Sequence, residues 1–179
     1  MTMIPADSTE MPFAGYEIDT DKSRLDLAMI HGFLSRSHWA KGIPLDVLSR
    51  AIDNSIAFGL YREGVQIGFA RVVSDHATFA YLADVFILES ERRRGLGTWL
   101  VRTILAHPEL QGLRRWLLGT RNAQNLYLRC GFAAPPRTYG RRSRAPGLSC
   151  GGSPRSGARM ALARARARLW PARFEAGCR

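Results

Sequence analysis

Apolar and polar positions follow two alternating periods through the first 136 residues. Tyr16-Glu17-Ile18 reads as a short strand. Leu25, Ile30, Phe33 and Leu34 then recur near helical spacing, which predicts a helix over about 24–34 capped by Asp21 or Ser23. The polar and aromatic run from Ser35 to Pro44 predicts a loop, and a second helix is expected over 45–52. The pattern then becomes that of strands. Segments 56–61 and 66–73 are joined by Arg62-Glu63-Gly64-Val65, a hairpin connection with glycine in the tight position. Thr78 to Leu88 is apolar on both faces, as a central strand should be. After Gly95 and Gly97 a helix is expected over 97–106, stopping before Pro108. A strand over 115–118 and a helix over 123–130, closed by Gly131, complete the series. Strand, two helices, three strands, helix, strand, helix is the order of an α/β sandwich with a partly antiparallel sheet.

Beyond Pro136 this patterning stops. Of the 43 residues from 137 to 179, 32 are Arg, Ala, Gly, Ser or Pro, and none is Val or Ile. Such a segment has few residues that favour a buried strand. Met160 to Trp170 could form a short basic helix, but the Ala/Arg alternation over 163–168 gives it no apolar face. The chain therefore divides into an extension (1–14), a domain (15–136) and a basic low-complexity tail (137–179) expected to be solvated.

Charge follows the same division. The whole chain carries a net +11, but residues 137–179 hold 11 Arg against the single acid Glu175. The tail reads either as an arm for nucleic acid or another polyanion, or as a solvated extension, or as the product of a shifted reading frame in a GC-rich gene. Missing aromatic interleaving argues against nucleic acid.

The remaining composition excludes several classes. In 179 residues no apolar run approaches the roughly 18 that a membrane span requires. Residues 1–12 have no basic flank and no apolar stretch, so no secretory signal is expected. Cys130, Cys150 and Cys178 show neither paired spacing nor an even count, which argues against a disulfide framework or a zinc site and for a reducing cytoplasm.

Val85 to Leu100, VFILESERRRGLGTWL, carries the clearest chemistry. A buried strand ends at Glu89, arginines 92–94 follow, and Gly95-Leu96-Gly97 opens a helix. Backbone N–H groups at such a turn can approach a phosphate closely, and the helix dipole adds to the attraction. The stretch is neither a Walker loop nor a dinucleotide fingerprint, because GxxxxGK[ST] and the third glycine are both missing. A glycine turn with solvated arginines would look the same.

The surrounding residues narrow this. Arg92-x-x-Gly95-x-Gly97 after a long apolar strand resembles motif A of the GNAT N-acetyltransferases. Ala123-x-x-Leu126-Tyr127-x-x-x-Gly131-Phe132, some 30 residues on, resembles their second signature. The order of elements is similar as far as Phe132. His31, Trp39 and Gly68-Phe69-Ala70-Arg71 resemble a bacterial subgroup, so the likeness covers about 15–136.

The resemblance implies a GNAT (acyl-CoA N-acyltransferase) fold, a mixed central sheet flanked by helices. It also implies acetyl-CoA as co-substrate and no metal. The backbone of Arg93, Arg94, Gly95, Leu96, Gly97 and Thr98 would hold the pyrophosphate, with Arg92 beside it. Val85, Phe86 and Ile87 would run along the pantetheine and bond the thioester carbonyl, and Tyr127 would protonate the leaving thiolate. A base is needed for the amine. Asp84 is the first candidate, with Asp75 and Glu89 as others, and a water chain can also serve. His31 and Trp39, with His38, would line the acceptor pocket or else fill core and surface roles. The acceptor itself, a small-molecule or peptide amine, is not legible, and a homodimer is expected by family habit only.

Three positions depart from the family. Arg93 stands where glycine is usual, Thr120 stands where the second signature has Asn, and Ala133-Ala134-Pro135-Pro136 replaces the expected strand. Proline cannot donate to a ladder, so the last strand or strands are expected to be missing. Two other readings stay open: a homologue that no longer binds acetyl-CoA, and a polyanion binder acting through the tail.

Overall fold

A computed structural model describes residues 13–133 together with the residue pairs 161–162 and 164–165. Strand β1 (Tyr16–Asp19) is followed by helices α1 (Leu27–Leu34) and α2 (Leu45–Asp53). Then come β2 (Ile56–Arg62), β3 (Val65–Ser74) and β4 (Phe79–Ile87). Helix α3 (Leu96–Ala106), β5 (Arg115–Thr120), α4 (Gln124–Arg129) and β6 (Phe132–Ala133) complete the domain. The sheet is mixed: β1 to β4 are antiparallel neighbours in chain order, and β5 joins β4 in parallel.

The α/β order read from the pattern is present in full. The β2–β3 connection is a two-residue turn in which Glu63 (φ 49°) and Gly64 (φ 80°) both take positive φ, the twist a tight hairpin needs. One local assignment changes. Asp26, not Asp21 or Ser23, caps α1 by accepting from the Met29 N–H at 2.9 Å. Asp21 instead caps a single 3-10 turn over Lys22–Arg24, so the periodic residue Leu25 lies before the helix.

The tail contributes two short pairings despite its composition. Strand β7 (Ala161–Leu162) lies antiparallel to Gly119 and Thr120 of β5, and β8 (Arg164–Ala165) pairs with β6. An open strand edge offers backbone donors and acceptors whatever the side chains of the segment that meets it. This short run occupies the edge where the sequence offers no strand formers. The short helix expected over Met160 to Trp170 is thus replaced by strand pairing at 161–162 and 164–165; the other expectations for 137–179 lie outside the described residues.

Two apolar layers enclose the sheet. On one face Ile30, Leu34, Leu48 and Ile52 of the first two helices pack on Ala57, Phe69 and Phe86. On the other, Leu96, Leu100, Val101 and Ile104 of α3 pack with Tyr127 of α4 on Leu60, Val72, Leu82 and Leu118.

Candidate functional site between strands β4 and β5

β4 changes character halfway. Ala83 stands opposite Arg71 and Phe86 opposite Phe69, so Asp84 and Val85 together face the single residue Ala70. This is a bulge, and Asp84 carries it at φ 53°, the left-handed region. The inserted residue reverses the alternation of the strand. Before it, Ala80 and Leu82 enter the α3 core; after it, Ile87 does so and Phe86 turns to the α1/α2 face.

The parallel ladder to β5 covers only Phe79–Leu82 against Arg115–Leu118. Past that point the two strands part, and the backbone edge of Val85 to Ile87 towards β5 has no strand partner among the described residues. Crevices at the carboxyl ends of diverging parallel strands are where open α/β sheets bind ligands.

α3 opens at the head of this crevice. Gly95 (φ 84°) is its N-cap, in a conformation that a side chain would strain. The N–H groups of Thr98 and Trp99 bond to the Gly95 carbonyl. Those of Arg93 to Gly97 have no backbone acceptor among the described residues, which leaves a run of donors facing out of the helix start.

The arginines divide their roles. Arg92 donates from Nε to the Ile87 carbonyl at 3.0 Å and pairs with Glu89. Arg93 is exposed, and its φ of 67° is one that glycine adopts without cost. Arg93 thus holds a backbone conformation natural to glycine, with its side chain turned to solvent.

Arg94, though exposed, reaches back to β1, bonding the Tyr16 hydroxyl at 3.1 Å and lying 3.6 Å from Glu91. Glu91 is buried. It accepts from Tyr16 Oη and from Arg62, each at 3.0 Å. Burial pushes its carboxyl up, but those two hydrogen bonds and the Arg94 and Arg62 charges outweigh it, and the group is held below the usual range. The motif loop is thereby tied to β1 and β2.

Tyr127 lies in α4, buried, with its ring edge-on to Phe132 at 5.9 Å. Burial, followed by Cys130 and Tyr81, pushes its hydroxyl up to about 12. That hydroxyl takes no part in the side-chain hydrogen bonds of the described residues and is not among the fully buried atoms lacking a partner. Thr120 retains a helix-start bond in place of the family's Asn, accepting from the Ala123 N–H at 3.1 Å.

The three candidate bases separate. Asp75 is spent on the β3–β4 turn, accepting from the N–H groups of Ala77, Thr78 and Phe79 and from the Thr78 hydroxyl. It also lies at the wrong end of β4. Glu89 is a surface acid paired with Arg92. Asp84 alone sits at the bulge, its Oδ2 2.5 Å from Arg71 Nε. Burial and then the Asp84 charge push the Tyr81 hydroxyl up.

The candidate acceptor residues also divide. His31 donates from Nε2 to the Ile43 carbonyl at 2.9 Å, tying down the loop between α1 and α2 rather than opening onto it. Trp39 is 47% exposed, stands against His38, and lies 6.3 Å from Phe33. Phe33 stacks flat on Phe86 at 3.9 Å, so the side chain of Phe86 serves this aromatic wall and leaves only its backbone for the crevice.

Sequence reasoning missed Phe33, Arg71, Tyr81 and Glu91. A charged residue inside the apolar strand 66–73 was an available signal for Arg71. Nothing local marks Glu91, which reads as one more charge in an Arg-rich turn.

With this geometry in place, the comparisons give the class. Residues 20–132 match the Acetyltransferase (GNAT) family, and the chain belongs to it. A curated protein of Gibberella zeae named "Putative acetyltransferase FG08082" is 33% identical over 135 residues, 63% of this chain and 75% of that one. A GNAT-family crystal structure from Xanthomonas campestris pv. campestris is 49% identical with a TM-score of 0.69, covering 74% of this chain and 95% of that one. A GNAT acetyltransferase of Elizabethkingia anophelis, solved with acetyl-CoA bound, shares the fold at 13% identity and a TM-score of 0.58, covering 87% of this chain and 100% of that one. Among the described residues no three His, Cys, Asp or Glu side chains gather as a metal site would require, and no helix is long and apolar enough to cross a membrane.

Proposed function

We propose that this chain is an acetyl-CoA-dependent N-acetyltransferase acting on a primary amine by direct attack in a ternary complex. The observation that carries this reading is the crevice between β4 and β5 with the unbonded N–H groups of Arg93 to Gly97 at its head. An elongated molecule bearing a pyrophosphate fits that arrangement, its phosphates on the donors and its amide-rich arm on the free edge of Val85 to Ile87. The acetyl-CoA held by the Elizabethkingia protein supports the same choice of co-substrate.

The chemistry follows from the residues around the crevice. The substrate ammonium gives one proton to Asp84, and the lone pair this frees on nitrogen then forms the bond to the thioester carbon. The carbon–sulfur pair leaves on sulfur, which takes the Tyr127 proton; the second amine proton returns to Tyr127 through solvent. The balance is one amide, one thiol and one proton released. The backbone of Val85 to Ile87 supplies the donors for the carbonyl oxygen as charge builds there.

The direct test is a thermal melt with and without acetyl-CoA. A ligand of the folded state alone adds about 2.7 kcal/mol of stability at one hundred times its dissociation constant, so the midpoint should rise by several degrees. A cooperative melt that does not move would sink the cofactor reading. Glu91→Ala sharpens it. Cutting the ties from the loop to Tyr16, Arg62 and Arg94 should weaken acetyl-CoA binding about tenfold by calorimetry, the scale of a lost charge-assisted hydrogen bond. Unchanged affinity would show that the loop holds its shape without Glu91.

A further inference from the structure

The alternation along β3 decides where Arg71 points. Ala70 and Val72 enter the α3 core and Phe69 the α1/α2 core, so Arg71 shares the α1/α2 face with Phe69. Its cross-strand neighbours are Ala57 on β2 and Ala83 on β4, both small. Arg71 thus has no bulky cross-strand neighbour, and it lies on the sheet face that carries Phe69 and Phe86, next to the Asp84 bulge.

The Arg71 and Asp84 side chains are only 18% and 10% exposed. Their contact uses one guanidinium nitrogen and one carboxylate oxygen, Nε on Oδ2. The two terminal nitrogens of Arg71 and Oδ1 of Asp84 bond to nothing among the described residues. They are not among the fully buried atoms left without a partner. A desolvated ion pair left half-satisfied is costly, and the cost falls when a complementary group completes it.

The complement is a zwitterion. Terminal guanidinium nitrogens form a fork that fits a carboxylate, and a free carboxylate oxygen fits an ammonium. The two groups lie side by side, as the charged groups of an α-amino acid do.

We propose that the acceptor is a free α-amino acid, its carboxylate held by Arg71 and its amino group by Asp84, and that this nitrogen receives the acetyl group. The amino group loses its proton to the oxygen that binds it, so positioning and deprotonation are one contact. This rests on the acetyltransferase reading above and adds the substrate class to it.

The test measures thiol release from acetyl-CoA by the full chain with the twenty L-amino acids, each compared with its carboxamide and its decarboxylated amine. At least one amino acid should exceed both counterparts by about 100-fold in kcat/KM, the discrimination expected when a buried charged donor loses its partner. Arg71→Lys keeps the charge but not the fork, and should raise KM for that amino acid more than tenfold, with the loss in KM rather than kcat. Equal or better turnover of amines lacking the carboxylate overturns the proposal, without any variant having to fold. So does acetylation of no amino acid by a protein whose melt still rises with acetyl-CoA, and that outcome leaves the cofactor reading intact. A melt unmoved by acetyl-CoA removes both.

Discussion

Tyr127→Phe should lower kcat by about 10²–10⁴-fold while leaving the affinity for acetyl-CoA and the melting midpoint almost unchanged. The substitution removes one oxygen. The ring keeps its edge-on contact with Phe132, and the hydroxyl forms no hydrogen bond to the described residues that the fold would lose. On the proposed mechanism, what disappears is the proton for the departing sulfur. The pH dependence carries a second signature. Burial raises the Tyr127 hydroxyl to about 12, so it stays protonated past pH 10, where an ordinary tyrosine is half ionised. The wild-type rate should therefore show no alkaline decline from this group below about pH 11. A kcat within fivefold of wild type would show that the thiolate departs without Tyr127.

Phe69→Ala should cost about 3–5 kcal/mol of stability, the range for removing a large aromatic side chain from a closed core. Phe69 is fully buried between the sheet and the first two helices, near Phe86 at 6.1 Å and among Ile30, Leu34 and Leu48. For a domain whose whole stability is about 5–15 kcal/mol, the midpoint should fall by about 10–20 °C. Val65→Ala is the matched control: that side chain is 66% exposed, and its loss should stay within about 0.5 kcal/mol. A shift of only a degree or two in Phe69→Ala would mean that α1 and α2 do not close over the sheet as described. The stack of Phe33 on Phe86 would then lose its support.

The two substitutions probe features of different legibility. Tyr127 was readable from the sequence because its signature is local: a helix, a glycine four residues on and a phenylalanine next. Phe69 was readable as a strand residue, but not as one whose side chain faces α1 and α2, since strand 66–73 carries apolar residues on both faces. The Glu63-Gly64 turn and the Gly95 cap were equally legible, because positive φ in a tight connection constrains the residue type directly. The cap of α1 was misassigned because Asp21, Ser23 and Asp26 all satisfy the same local rule. The Gln66 side chain, which accepts from the Asp26 N–H at 2.7 Å, anchors the helix start from 40 residues away.

The sequence by itself determined the succession of elements, the hairpin, the glycine turn ahead of α3 and the position of Tyr127. Each depends on backbone sterics or side-chain period within about ten residues. The tertiary structure decided the bulge at Asp84, the parting of β4 from β5, the burial of Glu91 under Tyr16 and Arg62, and the pairing of Arg71 with Asp84. These depend on register between strands and on which charges meet across the sheet. A one-residue slip reverses every side chain, so such contacts are fixed only when the whole sheet is assembled.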